Sequence, residues 1–166
     1  MPNRFSVLLA EDDENDVMLL RRAFESAGAT PQIEVAPDGQ AAIEFLRKLS
    51  ERPDATVPAL VLLDLKMPRR SGLQVLEWIR RHEALCDLPV FIFSASTLVE
   101  DVEPAYALGA NSYIVKPSST THRTEIAAFI NRWLVLHQPP LAVAHGPQAA
   151  KEFHARWAQE RGSQRN

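Results

Sequence analysis

The stretch that decides the fold is residues 60–64, which reads LVLLD and is followed by Lys66, Met67 and Pro68 and then by Gly72. A run of aliphatic residues bounded by polar ones is typical of a short strand that is buried on both faces, as in a parallel sheet. Asp64 is then expected where this strand leaves the sheet, which is where open α/β sheets bind ligands. Taken alone, Asp64 is more simply explained as the cap of a turn or of the next helix.

The periodicity of apolar residues switches repeatedly along the chain. Short runs rich in β-branched and aromatic residues predict five strands, at residues 5–10, 33–36, 59–63, 89–93 and 112–115. After each of them, apolar residues recur every three or four positions, which predicts five amphipathic helices. Because parallel strands need crossover helices, this alternation predicts an α/β fold with a five-stranded, parallel, doubly wound sheet.

Composition narrows the class of protein. The chain has 166 residues and a formal net charge of −3, and its lysines and arginines are scattered, which argues against a nucleic-acid partner. The apolar stretch near the N-terminus is too short for a signal peptide or a membrane span, so we expect a cytoplasmic protein without a membrane partner. Cys86, the single cysteine, cannot form an internal disulfide and has no partner for a metal site, and we interpret it as structurally incidental.

Two local features modify the simple alternation. Residues 50–58 form a long polar connection with two prolines, which predicts a surface loop. Pro104 falls inside the fourth helical pattern. Because proline is tolerated only in the first turn of a helix, we expect that helix to start late, at residues 101–103.

Polar side chains follow the ends of four predicted strands. Glu11 and Asp12 follow the first strand, which can lie beside the third strand and so bring them close to Asp64. Three carboxylates at one edge repel each other unless a cation lies between them, and such oxygen ligands suit Mg²⁺. Ser94 and Lys116 at the ends of the fourth and fifth strands add a hydroxyl and an ammonium group. Such a set can accept and hold a phosphoryl group.

Several different assignments of these residues fit less well. The acidic run at residues 11–13 could simply begin a helix, where carboxylates favour the positive end of the dipole. An EF-hand is excluded because Val17 occupies the position that needs glycine. A dehalogenase-type phosphatase needs a second aspartate where this chain has Lys66, and a flavodoxin-like cofactor binder needs a Ser/Thr/Gly phosphate loop after the first strand.

The ordered set Glu11-Asp12, Asp64, Ser94-Ala95 and Lys116-Pro117 resembles that of a response-regulator receiver domain, the phosphoacceptor module of two-component signalling. The resemblance covers residues 5–136 and implies a flavodoxin-like fold with strand order 2-1-3-4-5. It implies a phosphoacceptor signalling protein rather than an enzyme, with Asp64 receiving the phosphoryl group from a sensor histidine kinase. A receiver domain at residues 1–137 would then be followed by an extension at 138–166.

The resemblance also implies a metal site. Asp12, Asp64 and the backbone carbonyl of Lys66 would bind Mg²⁺ directly, and Glu11 would act through metal-bound water. Lys66 also flanks the route of the water that would hydrolyse the phosphoryl group, so its identity should influence how long that group lasts.

Further residues would bind the phosphoryl group and report its presence. Ser94, the backbone N–H of Ala95 and the ammonium of Lys116 would contact it. Tyr113 would be the aromatic switch that turns inward when Ser94 moves, or else a half-buried aromatic of the fifth strand. A cis peptide bond before Pro117 would help to aim Lys116.

A narrower resemblance is to the single-domain regulators that accompany bacterial phytochrome-type kinases. It implies a homodimer formed through the fourth helix, fifth strand and fifth helix. The extension is too short for a separate effector domain, and we expect in it one short helix whose apolar face, including Phe153 and Trp157, docks on its own domain or on a partner subunit. The alternative function is a receiver-fold adaptor that acts without phosphorylation.

Overall fold

Strands and helices alternate through most of the chain in a computed structural model that describes residues 5–163. The strands are β1 (Ser6–Ala10), β2 (Gln32–Ala36), β3 (Leu60–Leu63), β4 (Val90–Ser94) and β5 (Ser112–Val115). The helices are α1 (Glu14–Ser26), α2 (Gly39–Ser50), α3 (Gly72–Arg81), α4 (Val99–Ala107), α5 (Thr120–Leu136), α6 (Leu141–His145) and α7 (Pro147–Ser163). Within the described residues, no helix is both long enough and apolar enough to cross a membrane.

The five strands form one parallel sheet in the order β2-β1-β3-β4-β5, which confirms the predicted topology. β1 lies between β2 and β3, and Ala10 is in register with both Ala36 and Leu63. The residues that follow Ala10 and Leu63 therefore leave the sheet side by side. This register brings Glu11 next to Asp64.

The sheet is covered on both faces, as a doubly wound fold requires. Side chains of β1, β3 and β4 alternate between two buried clusters, with Leu8, Val61 and Ile92 in one of them and Leu9, Leu62 and Phe91 in the other. Helices α2, α3 and α4 contribute to the first cluster, and α1 and α5 contribute to the second. Burial on both faces explains why these strands are continuous apolar runs.

Helix α4 starts earlier than Pro104 predicts. It begins at Val99, so Pro104 lies inside the helix, and the prediction of a start at residues 101–103 is wrong. Because proline has no N–H, Pro104 cannot donate the helical hydrogen bond to the carbonyl of Glu100. Glu100 is exposed, so solvent can reach the residue whose carbonyl loses its partner.

The C-terminal residues form two helices rather than the one short helix that was predicted. Gly146 separates α6 from α7 with a φ of 86°, a conformation that favours glycine. A Cβ on Gly146 would lie 2.6 Å from the carbonyl oxygen of Pro53, so this junction packs on the loop before β3. The predicted surface loop at residues 50–58 is only partly exposed, because Ala55 and Val57 are buried. The tail thus folds back on its own chain.

The face of α7 that packs inward also differs from the prediction. Ala150 is buried, but Phe153 and Trp157 are 41% and 50% exposed. Pro147, Ala150, Lys151 and His154 are buried or half-buried and recur every three or four residues, so they form the packed side of the helix, and Phe153 and Trp157 lie at its edge. His154 on that side contacts the carbonyl of Glu83 at 2.8 Å, so a polar contact anchors this turn of the helix.

We predict that Gly72→Ala destabilises the protein by about 1–3 kcal/mol, the usual cost of overpacking. A Cβ at Gly72 would lie 2.1 Å from the carbonyl oxygen of Asp64, and the backbone of the β3–α3 turn would have to move. Urea unfolding followed by circular dichroism measures the change. Gly162→Ala is the control, because a Cβ there meets nothing within 4 Å. Equal unfolding free energies for the two variants would contradict the prediction.

Candidate functional site

Three carboxylates meet where β1 and β3 end. The backbone N–H of Glu11 donates to the carbonyl of Ala36 at 3.0 Å, and that of Asp64 donates to the carbonyl of Ala10 at 3.0 Å. The sheet ladder therefore holds both residues just beyond the strands. Carboxylate oxygens of Glu11, Asp12 and Asp64 lie within 4.8 Å of one another. Glu11 and Asp64 are buried and Asp12 is exposed, so the cluster opens to solvent on one side.

The ammonium group of Lys116 lies among these carboxylates. Its backbone N–H donates to the carbonyl of Ser94 at 2.8 Å, which fixes the chain just after β5. Its Nζ lies 2.6 Å from Glu11 Oε2 and 3.0 Å from Asp64 Oδ2. A third carboxylate oxygen, Oδ2 of Asp16 on α1, lies at 2.9 Å. One buried ammonium group thus joins the ends of β1, β3 and β5 to the first turn of α1.

Burial and mutual contact shift the pKa values of these charged groups. Burial lowers the pKa of Lys116, but hydrogen bonds to Glu11 and Asp16 and the charge of Asp64 outweigh it, so the pKa lies well above its ordinary value. Burial raises the pKa of the Glu11 carboxyl, although the hydrogen bond and charge of Lys116 oppose the shift. The ammonium group is therefore a permanent positive charge at this edge of the sheet.

Asp16 and Arg123 belong to this network but were not predicted from the sequence. Arg123 Nη2 on α5 lies 3.2 Å from Asp16 Oδ1, and the guanidinium is nearly buried. Burial raises the pKa of Asp16, but bonds and charges from Lys116 and Arg123 dominate and lower it. Asp16 lies in the first turn of α1, four residues after Asp12, and this spacing could have suggested it, but no local pattern indicates Arg123, which is 107 residues away.

Asp64 lies on an open cleft. Its Oδ1 accepts a hydrogen bond from the backbone N–H of Leu65 at 2.7 Å, and its Oδ2 faces Lys116. These two contacts fix the orientation of the carboxylate. The cleft is lined by Asp64, Lys66, Ser94, Ala95, Ser96, Thr97, Leu98 and Lys116. The predicted residues Lys66 and Ala95 are both exposed at its wall.

Ser94 and Tyr113 meet at the loop between β4 and α4. Ser94 is buried, and its Oγ accepts a hydrogen bond from the backbone N–H of Ser96 at 3.3 Å. The hydroxyl of Tyr113 donates to the carbonyl of Ser96 at 3.0 Å, and the residue is half-buried. Both residues therefore contact the same short segment through Ser96.

The peptide bond between Lys116 and Pro117 is trans, since the described residues contain no cis bond. The prediction of a cis bond at Pro117 is therefore wrong for this structure. The trans form is the lower in free energy by about 0.5–1 kcal/mol for a bond before proline. The side chain of Lys116 reaches the carboxylates from a trans bond, so its direction does not require the cis form.

The donor set fits a hard divalent cation. Glu11, Asp12 and Asp64 offer only carboxylate oxygens, the ligands that Mg²⁺ takes together with waters. Lys116 already neutralises part of their charge, so a cation here would compete with an ammonium group. A negative group entering the cleft would meet the ammonium of Lys116 and the hydroxyl of Ser94. The arrangement can therefore bind a cation and stabilise incoming negative charge.

Comparison with known sequences identifies relatives of this chain. Residues 7–128 match the family described as "Response regulator receiver domain". The chain is similar to the probable methanogenesis regulatory protein FilR2 of Methanothrix harundinacea, with 44% identity over 69% of this chain and 74% of the relative. It is also similar to the response regulator Rcp1 of Synechocystis, with 32% identity over 66% of this chain and 75% of Rcp1.

Solved structures with the same fold include regulators associated with phytochromes. The phosphorylated cyanobacterial phytochrome response regulator RcpA superimposes with a TM-score of 0.73 and 28% identity over 82% of this chain and 98% of RcpA. The Mn²⁺-bound form of Rcp1 superimposes with a TM-score of 0.72 and 28% identity over 82% of this chain and 99% of Rcp1. RPA3017, from red light signalling of R. palustris, superimposes with a TM-score of 0.73 and 30% identity over 81% of this chain and 97% of RPA3017. The match over residues 7–128 shows that this chain belongs to the response regulator receiver domain family, whose members are signalling proteins of two-component systems.

Proposed function

We propose that this protein accepts a phosphoryl group on Asp64 from the phosphohistidine of a sensor histidine kinase, in a Mg²⁺-dependent reaction. The observation that carries the proposal is the position of the Asp64 carboxylate. It is held by the N–H of Leu65 and by Lys116, lies within 4.8 Å of two further carboxylates and faces an open cleft. A structural ion pair alone would not require a carboxylate that opens onto such a cleft.

In this reaction an oxygen of Asp64 forms a bond to phosphorus while the bond from phosphorus to the kinase histidine nitrogen breaks. The electron pair of the broken bond stays with the histidine, and an acyl phosphate forms on Asp64. Lys116 and Ser94 lie on the walls of the same cleft and can contact the phosphoryl oxygens. Their role is positioning and neutralisation of charge, the main contributions to phosphoryl transfer.

Asp12, Asp64 and the backbone carbonyl of Lys66 would hold Mg²⁺, with Glu11 acting through water. The bound cation would neutralise the carboxylates and the phosphoryl oxygens. The fit of the donor set supports this assignment, as does the existence of an Mn²⁺-bound form of the related Rcp1. RcpA and RPA3017 carry phytochrome and red light signalling in their descriptions, which makes a phytochrome-type kinase the partner that we propose.

Phosphorylation would act through Ser94 and Tyr113. If the Ser94 side chain turns to donate its hydroxyl to a phosphoryl group on Asp64, its Oγ moves away from the Ser96 N–H, and Tyr113 contacts the carbonyl of that same Ser96. The two side chains can therefore bias one loop between two arrangements. Reorganisation of this loop would change the surface of α4 and β5 next to it.

The surface formed by α4, β5 and α5 is suited to contact another protein. It carries large apolar side chains that are at least 40% exposed, namely Leu98, Val99, Tyr106, Val115 and Phe129. Clusters of exposed apolar side chains are typical of interaction sites. We assign this surface, which we call the α4-β5-α5 face, as the contact in a homodimer.

The alternative is an adaptor that acts without phosphorylation. It is favoured by one observation: Lys116 contacts Glu11, Asp16 and Asp64, so part of the negative charge of the site is neutralised without a cation or a phosphoryl group. The two functions differ in whether Asp64 becomes modified.

We expect the protein, given a small phosphodonor and Mg²⁺, to incorporate one base-labile phosphate per chain, and Asp64→Asn to abolish incorporation. An amide cannot form the acyl phosphate. Asp13→Asn is the control, since asparagine replaces aspartate well as the cap of α1. Electrophoresis that separates phosphorylated from free protein measures both. Absence of incorporation in the unmodified chain would leave only the adaptor.

We expect Lys116→Met to lower the free energy of unfolding by about 3 kcal/mol in the absence of Mg²⁺, because the substitution leaves buried carboxylates without their positively charged partner. Mg²⁺ should then stabilise the variant more than the original chain, because no ammonium group competes with the cation. Thermal unfolding over a Mg²⁺ series measures both effects. Lys48→Met, on the exposed side of α2, is the control. Equal Mg²⁺ stabilisation of all three proteins would show that Lys116 and the cation do not share ligands.

Lys66→Asn should change the rate at which the phosphoryl group is lost, because Lys66 is exposed at the wall of the cleft that contains Asp64. The decay of labelled protein after removal of the phosphodonor measures this rate. Lys48→Asn makes the same change of charge away from the cleft. Identical decay of the Lys66→Asn variant and the original chain would refute the role of Lys66.

Val115→Asp should convert the dimer to a monomer, because it places a charge on the α4-β5-α5 face. Val35→Asp is a matched control, since Val115 and Val35 lie on the two edge strands and are 42% and 37% exposed. Sedimentation velocity with and without phosphodonor gives the size of each. A Val115→Asp protein that still sediments as a dimer would place the contact on another surface.

A further inference from the structure

A second group of potential metal ligands lies far from Asp64. Cys86 and Asp87 belong to the loop between α3 and β4, and His154 lies on α7. One ligand atom from each lies within 4.8 Å of the other two. This loop precedes β4, so it is at the amino edge of the sheet, whereas Asp64 is at the carboxyl edge. The sequence indicates no partner for Cys86, but the fold brings to it a histidine that is 68 residues away along the chain.

Three donor atoms form a compact triangle at this place. The Sγ of Cys86 is 3.9 Å from Nδ1 of His154 and 3.9 Å from the carbonyl oxygen of Glu83. Nδ1 of His154 is 2.8 Å from the same carbonyl oxygen. Zinc keeps about 2.0–2.1 Å to nitrogen, about 2.0–2.2 Å to oxygen and about 2.3 Å to sulfur. One ion can therefore contact all three atoms with little movement.

Asp87 orients the imidazole in the way that metal sites require. Its Oδ2 lies 2.6 Å from Nε2 of His154, so Nε2 carries the proton that is shared with the carboxylate. The other nitrogen, Nδ1, then faces Glu83 and Cys86. A carboxylate that holds the second nitrogen of a ligating histidine is a recurrent feature of zinc sites. Without a metal, Nδ1 carries a proton and donates a hydrogen bond to the Glu83 carbonyl.

We propose that Cys86 Sγ, His154 Nδ1 and the carbonyl of Glu83 bind a zinc ion, with Asp87 orienting the imidazole and one coordination position left for water. Sulfur and imidazole nitrogen select zinc over Mg²⁺, which prefers the all-oxygen carboxylate cluster at the other edge of the sheet. The site would join α7 to the loop between α3 and β4. It would thus fix the C-terminal helix on the receiver domain, independently of the function proposed for Asp64.

The test uses the full chain without an affinity tag, in excess Mg²⁺ so that the carboxylate cluster is saturated. Calorimetric titration with Zn²⁺ should show one site per chain. Cys86→Ser and His154→Ala should each weaken Zn²⁺ binding by more than about 100-fold, and Asp87→Asn by about 10–100-fold, the usual effect of losing the group that orients a ligand. His145→Ala on α6 and Asp12→Asn are the controls and should bind Zn²⁺ as the original chain does.

Co²⁺ provides an independent readout, because a cobalt ion bound by a thiolate gives a charge-transfer band in the near ultraviolet. The original chain should show this band and Cys86→Ser should lack it, with the same circular dichroism for both proteins. Two results would overturn the proposal: no Zn²⁺ binding in excess Mg²⁺, or equal Zn²⁺ affinity in the original chain, Cys86→Ser and His154→Ala. Either result would leave phosphorylation of Asp64 unaffected as a separate question.

Discussion

The ammonium group of Lys116 is the constraint on which the rest of the site depends. It lies within 3.0 Å of oxygens of Glu11, Asp16 and Asp64, and its side chain is 7% exposed. Each buried carboxylate would cost several kcal/mol in lost hydration without such a partner. Glu11 and Asp64 can therefore lie buried side by side at the end of the sheet only because β5 delivers a cation to the same edge. This contact joins β1 and β5, which are not neighbours in the sheet.

The same contact links the proposed chemistry to the rest of the molecule. If Lys116 turns toward a phosphoryl group on Asp64, its contact with Asp16 must weaken, and Asp16 also holds Arg123 at the start of α5. On the other side of the cleft, in the loop between β4 and α4, Ser96 forms hydrogen bonds with Ser94 and Tyr113. Two sets of contacts thus run from Asp64 to the α4-β5-α5 face, one through α5 and one through the loop that precedes α4.

Most of the fold and the centre of the site could be predicted from the sequence. Buried parallel strands are short apolar runs, so residues 60–63 and their counterparts are recognisable, and whatever follows them lies at one edge. Contacts made across helices were missed: Arg123 meets Asp16 and His154 meets Cys86 through packing that leaves no local pattern. The sequence predicts that the C-terminal extension docks through its large apolar residues, yet α7 packs on the domain through Ala150 and His154. Local rules therefore predicted the strands and their ends better than the packing of helices.

The most direct test of the role of Asp64 and Lys116 is a crystal structure of the protein with Mg²⁺ and beryllofluoride, which mimics an acyl phosphate. We expect beryllium bonded to an oxygen of Asp64, the cation on Asp12 and Asp64, and Nζ of Lys116 within hydrogen-bond distance of a fluorine. We also expect Ser94 Oγ to contact the adduct. An adduct that forms elsewhere, or a Lys116 that keeps its bonds to Glu11, Asp16 and Asp64 and leaves the fluorines without an ammonium partner, would contradict this role.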